Sequence, residues 1–189
     1  MNIAIALLQR ASKGKTVLAL FVLTNLIYGV ILGYSIPLVL SFSPDSILFD
    51  MSPAGYSYEQ AVDLLQSLRA EGRNAYLSVQ IPLDFVYPGM FAVSYTLLFT
   101  WILKQYLPLG STLFALSFIP LLAGAFDYLE NLGIILMLNE YPDVSEIVVS
   151  ISSGFTIAKS GFTTIFFVLL IIALAVLIVR KVRKNSAVS

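Results

Sequence analysis

The stretch GFTIAKSGFTTIFFVLLIIALAVLIV, residues 154–179, decides the fold. It carries one charge, Lys159, and no other before Arg180. A helix crossing the hydrocarbon core of a bilayer needs about 20 predominantly apolar residues. Working outward, three more stretches meet that requirement, at about 16–40, 78–103 and 111–138. The fold class this predicts is all-α, a polytopic membrane protein with four transmembrane helices in an antiparallel bundle. No repeat and no shift of composition divides the chain, so residues 1–189 read as one membrane domain. The composition agrees: 58% of residues are hydrophobic and 12% charged, against about 45–50% and about 25% in soluble domains. The first span is too long in its apolar core for a cleavable signal peptide, and no small-residue cleavage pattern follows it.

The charges sort by side. Arg10, Lys13 and Lys15 precede the first span, Lys104 lies between the second and third, and Arg180, Lys181, Arg183 and Lys184 follow the fourth. The opposite side holds Asp45, Asp50, Glu59, Asp63, Glu71, Glu140, Asp143 and Glu146 against only Arg69 and Arg73. The positive-inside rule then places both termini in the cytoplasm of a multi-pass plasma (inner) membrane protein. The net charge of zero conceals this asymmetry. With no basic face, the chain is not a nucleic-acid binder.

The outer link, about 42–77, has internal order. Ser57 and Gln60 form a capping-box pattern, and Ala61, Leu64, Leu65 and Leu68 follow at helical spacing. A short amphipathic helix is expected at about 58–71, closed by Gly72, either on the outer membrane surface or lidding the bundle. Ile3, Leu7 and Leu8 suggest a similar helix on the inner surface.

The chain has no Cys and no His. That removes disulfides, thiolate chemistry, the usual neutral-pH proton shuttle and the commonest transition-metal ligand. Chemistry must rest on carboxylates, Lys, Tyr and backbone carbonyls. Four ionisable acidic or basic residues lie within the expected spans: Asp84, Asp127, Glu130 and Lys159. At 1.5 Å per residue, Asp84 stands about 9 Å inside its outer boundary, and Glu130 and Asp127 about 12–16 Å. All four fall in the outer half. Asp127, Glu130 and Asn131 share one face at i, i+3, i+4 spacing. Gln80, Asp84, Tyr87, Phe91 and Tyr95 form a second stripe. Ser152, Thr156, Lys159 and Thr163 form a third, and Thr24, Asn25, Tyr28 and Ser35 a fourth. Polar stripes turn away from lipid, so the expectation is a polar interior that widens outward.

Three carboxylates here meet two bases, Lys159 and Arg73. Either one carboxyl holds a proton or a cation completes the site. An oxygen set of Asp84, Asp127, Glu130 and Asn131 suits a hard cation such as Ca²⁺ or Mg²⁺. Against this stands the bland reading, in which buried polar groups satisfy one another and fix helix register, and Lys159 snorkels outward. Tyr87, Tyr95 and Tyr128 read first as packing or interfacial residues. Gly29 and Gly33 form a GxxxG pattern that favours close helix contact, within the bundle or in a homodimer. Pro88, one turn after Asp84, frees the Asp84 carbonyl.

Three motifs carry a resemblance. Gly72-Arg73-Asn74-Ala75-Tyr76, Asp84-Phe85-Val86-Tyr87-Pro88 and Asp127-Tyr128-Leu129-Glu130-Asn131 (GRxxY, DxxYP and DYxEN), with the flanking run from Tyr58-Glu59 and Phe126, resemble a family of uncharacterised four-span integral membrane proteins, mostly bacterial. The likeness covers about residues 56–131. It implies the same four-helix layout, and that Arg73, Tyr76, Asp84, Asp127, Glu130 and Asn131 belong together.

Three functions compete on these residues. One is ligand or cation binding, as a small transporter or accessory subunit, with Asp84, Asp127, Glu130, Asn131, Lys159, Arg73 and Tyr87 around a small-molecule or lipid ligand. Another is an intramembrane lipid-modifying enzyme, with Asp127 and Glu130 as acid and base and Arg73 or Lys159 on an anionic headgroup. No GxSxG, HExxH or P-loop accompanies them. The third is a structural or assembly protein. The first is preferred.

Overall fold

The computed structural model describes residues 3–186, with side chains to Arg183. Residues 1–2 and 187–189 of the expected single membrane domain, and the Lys184 side chain, lie outside the described residues. Among the described residues the structure is helical with no strand. Four helices are long and apolar enough to cross a membrane: Gly14–Leu40, Arg69–Leu103, Thr112–Glu140 and Glu146–Arg183.

The first long helix is α2 (Gly14–Val30), a π-helical turn (Ile31–Ser35) and α3 (Ile36–Leu40). The second is α5 (Arg69–Ala75), a second π-helical turn (Tyr76–Gln80) and α6 (Ile81–Leu103). Pro37 and Pro82 each stand near the start of the α-helix after a π turn. A proline has no N–H and crowds the carbonyl four residues back, so the ladder loosens just before it. The third is a 3₁₀ lead-in (Thr112–Phe118) and α7 (Ile119–Glu140), and the fourth is α8 (Glu146–Ser186). The first helix packs on the second, the second on the third, and the third on the fourth. Small residues permit the closest approaches. A Cβ at Gly124 would stand 2.8 Å from the Pro88 carbonyl oxygen, and one at Gly133 would run into the Ser152 side chain.

Two apolar cores stack along the molecule. At the loop end, Val39, Leu48, Phe49, Leu65, Leu68, Ile134 and Met137 are buried together. Toward the other end Phe91, Tyr95, Phe99, Phe114 and Phe166 form an aromatic core.

The loop helix α4 (Tyr58–Ser67) begins with the expected capping box: Gln60 N donates to Ser57 Oγ at 3.3 Å, and Ser57 N donates to Gln60 Oε1 at 2.8 Å. It buries Ala61, Leu64 and Leu65 into the loop-end core. Its end differs from the expectation. The chain breaks at Arg69, whose φ is +55°, and Gly72 lies inside the next helix. Gly72 answers a different need, because a Cβ there would stand 2.8 Å from Phe42 Cβ. The second long helix therefore starts at Arg69 rather than near Ser78, and the fourth at Glu146 rather than near Gly154. Gly29 and Gly33 touch nothing within the chain that a Cβ would meet within 4 Å, so their pattern does not serve packing inside the bundle.

At the N-terminus α1 (Ile3–Ala11) leaves Ile3 and Leu7 exposed and buries Gln9. Lys104 Nζ donates to the carbonyls of Gln9 at 2.6 Å and Ser12 at 3.1 Å. A lysine on free carbonyls at a helix C-terminus satisfies groups that have no partner in the helix and complements the helix dipole.

Candidate functional site: an interhelical cavity

A cavity of about 680 Å³ lies among the long helices. Asp84 and Tyr87 of the second helix, Asp127 of the third and Lys159 of the fourth line it, as do Asn25 and Tyr28 of the first. These residues come from four different helices, which the stripes in the sequence anticipate. The loop adds a residue that sequence reasoning missed. Asp50, in the 3₁₀ turn Phe49–Met51, also faces the cavity.

Lys159 organises one wall. Its ammonium pairs with Asp127 Oδ1 at 3.3 Å and with Glu130 Oε2. Its side chain is 15% exposed and that of Glu130 is 0% exposed, so Lys159 turns inward instead of snorkelling away. Thr156 Oγ1 donates to Glu130 Oε1 at 2.7 Å. Ser152 Oγ approaches the Glu130 carbonyl at 3.5 Å, and Tyr56 Oη donates to Ser152 Oγ at 2.8 Å. The i, i+4 spacing of Ser152 and Thr156 puts both on the helix face toward Glu130.

Tyr56 also fixes the loop, because its backbone N–H donates to Ser153 Oγ at 2.8 Å. Burial pushes the Tyr56 phenol up to about 12, against a smaller opposing effect of its Ser152 hydrogen bond. On the exposed side of the loop, Ser57 Oγ donates to Glu59 at 2.7 Å and holds that carboxyl below its ordinary value.

The second wall is built on the two π turns. Ser35 Oγ donates to Gln80 Oε1 at 2.5 Å. Gln80 Nε2 donates to Asp50 Oδ2 at 3.2 Å, and Tyr76 Oη donates to the same oxygen at 2.9 Å. A glutamine between a hydroxyl and a carboxylate uses both ends of its amide. Deeper, Pro88 has no N–H to offer the Asp84 carbonyl. Asn131 Nδ2 donates to that carbonyl at 3.2 Å instead. Asp84 Oδ2 is buried with no hydrogen-bond partner. Aromatic rings complete the lining: Tyr28 stacks on Tyr87 at 5.1 Å, and Phe91 meets Tyr95 at 4.6 Å between ring centroids.

Of the residues expected at the site, Asp84, Asp127, Lys159 and Tyr87 line the cavity. Glu130 and Asn131 are fully buried and act from behind, on Lys159 and on the Asp84 carbonyl. Arg73 is elsewhere. Its Nη1 donates to the Leu65 carbonyl at 2.7 Å and its guanidinium lies 4.3 Å over the Tyr141 ring. Because the second helix begins at Arg69, Arg73 ties its first turns to the end of α4 rather than balancing the buried acids. The oxygen set of Asp84, Asp127 and Glu130 does not form a cage: among the described residues no three carboxylates are arranged to hold a metal ion. The Lys159 ammonium bridges Asp127 and Glu130 where such a cation would sit.

Comparison with protein-family models, with curated proteins and with solved structures returns no match. The likeness of the three motifs to a four-span family therefore stands on those motifs alone.

Proposed function

We propose that the chain is a multi-pass membrane protein whose cavity binds an organic cation, with both termini in the cytoplasm and Asp50 on the opposite side. The bilayer reading is supported by four long apolar helices and by their exposed side chains, among them Leu26, Leu132, Ile165 and Ile171. The sorting of basic residues to one end supports the orientation. The loop helix α4, with its buried apolar face, fits an amphipathic cap on the bundle.

One observation carries the ligand class. Asp50, Asp84 and Asp127 line one cavity that presents a single ammonium, and that ammonium is already held by Asp127 and Glu130. A cavity with such an excess of carboxylate attracts positive charge. Its volume suits a small organic molecule and exceeds what a bare ion requires. Tyr28, Tyr87, Phe91 and Tyr95 offer ring faces, which favour alkylammonium groups over hydrated metal ions. The Ca²⁺ or Mg²⁺ alternative lacks a cage. The lipid-modifying alternative needs Asp127 and Glu130 to face one substrate together, and Glu130 is fully buried behind Lys159.

The test is thermal unfolding of purified protein in a mild non-ionic detergent, with ethylammonium chloride against sodium chloride at equal ionic strength. A ligand that binds only the folded state raises the melting temperature with concentration. Ethylammonium is expected to do so for the native chain and not for Asp84→Asn. An equal response from both proteins, or none from either, overturns the reading.

A further inference from the structure

We propose that the cavity is filled sideways from the bilayer, through a slot between the first and fourth long helices, and that its occupant is a long-chain amine. This rests on the organic-cation reading above and extends it to the rest of the ligand.

The helices pack in sequence, first on second, second on third and third on fourth, and the second also touches the fourth. The first and fourth are the two ends of this row and share no extended contact. The cavity lies between them. Tyr28 and Leu32 of the first helix line it and are 41% and 48% exposed, and Phe167 of the fourth lines it and is 39% exposed. Thr164 also lines it from an exposed position. These side chains face the cavity and the surroundings at once, as the lips of a slot do. Toward the basic end the aromatic core closes the way, with Phe91 and Tyr95 against a fully buried Phe166.

The lining is of two kinds. Asp84 and Asp127 are buried acids, and Leu32 and Phe167, the exposed lips, are apolar. Lys159 and Phe167 are eight residues apart on one helix, about 12 Å. A molecule that matches both parts has a cationic head for the carboxylates and an apolar chain for the slot. Asp84 Oδ2 is buried and has no hydrogen-bond partner. An ammonium N–H supplies the missing donor, and the chain of the same molecule covers the exposed apolar lips. A free metal ion or a short amine does only the first of these.

The experiment uses the full chain in phosphatidylcholine nanodiscs and a dodecylamine with a diazirine at its far end. Irradiation expels nitrogen and inserts the resulting carbene into neighbouring bonds, so labelled peptides report where the tail lies. The expected result is labelling concentrated at residues 28–32 and 160–167. Excess unlabelled dodecylamine should reduce it at least ten-fold, and Asp84→Asn should abolish it. Labelling spread evenly over every lipid-facing helix and not reduced by competitor overturns the inference. If ethylammonium and dodecylamine both raise the melting temperature but no slot labelling occurs, the lateral route fails while the organic-cation reading survives. If neither amine raises it, that reading fails and this inference with it. A slot that labels only after dilution to monomer, with intermolecular cross-links through Leu32→Cys, assigns the lips to a second copy and overturns the proposal.

Discussion

Replacing Lys159 by Met tests the ion pairs at the centre of the molecule. The ammonium serves Asp127 and Glu130 together. Methionine keeps most of the stem volume and removes the charge. Asp127 and a fully buried Glu130 then face each other across an uncharged side chain. Removing one partner of a buried ion pair costs about 3–5 kcal/mol, since the remaining charge has no counterpart. Thr156→Val provides the scale. It removes one hydrogen bond to Glu130 Oε1, and a polar contact between membrane helices is worth about 0.6 kcal/mol and at most about 1.7. The expected order is therefore Lys159→Met well above Thr156→Val, by about three-fold or more in free energy. Reversible unfolding in mixed detergent and dodecyl sulfate micelles measures both. The triple variant with Lys159→Met, Asp127→Asn and Glu130→Gln should recover much of the loss, because no charge is left uncompensated. A cost below about 1 kcal/mol for Lys159→Met, or no recovery in the triple variant, refutes the view that this lysine is an interior counter-ion.

Further expectations follow from single contacts. Asn131→Leu strands the Asp84 carbonyl and should cost about 1–3 kcal/mol; in a Pro88→Ala background, which restores a helical N–H to that carbonyl, the same substitution should cost less in the same unfolding assay. Lys104→Met removes the donor to the Gln9 and Ser12 carbonyls, and hydrogen exchange of the α1 amides should quicken about ten-fold or more, while amides of α7 stay unchanged. Tyr56 has its phenol raised from an ordinary 10.0 to about 12 in the folded chain. The folded state therefore holds this proton more tightly, so its contribution is complete below pH 10 and is lost as pH rises toward 12. Tyr56→Phe should flatten the fall in stability over that window, and an unchanged slope counts against the burial of the Tyr56 phenol.

The four long helices are legible because their signal is local: each stretch is apolar over a length that only a membrane span requires. The site is legible where depth and face suffice. Asp84, Asp127 and Lys159 are polar residues in apolar runs, and their stripes bring them to one cavity. Asp50 escapes that logic. It lies in an irregular loop, positioned by the burial of Leu48 and Phe49 and by hydrogen bonds from Tyr56 to serines nearly a hundred residues away. The usable hint is indirect. Tyr76 and Gln80 are buried donors one turn apart, and such donors require an acceptor. Arg73 misleads for the opposite reason. Its nearness to a span in the sequence suggests a counter-charge, but the helix start shifts back to Arg69, which points its guanidinium to the Leu65 carbonyl and Tyr141.

The irregular turns and the site coincide for one physical cause. A regular helix satisfies its own backbone and presents side chains at a fixed pitch. The turns at Ile31–Ser35 and Tyr76–Gln80 depart from that pitch, and they face each other through Ser35 and Gln80. Gln80 and Tyr76 then reach Asp50. Pro88 opens the ladder one turn past Asp84, and Asn131 closes it from the third helix. Each departure exchanges a bond within a helix for one between elements. In lipid that exchange is tolerated only where protein or a water-filled cavity receives the freed group. The two π turns also give Ile31 and Tyr76 to the loop-end core, so the same departures from helical pitch serve the packing of that core and the acidic cavity beside it together.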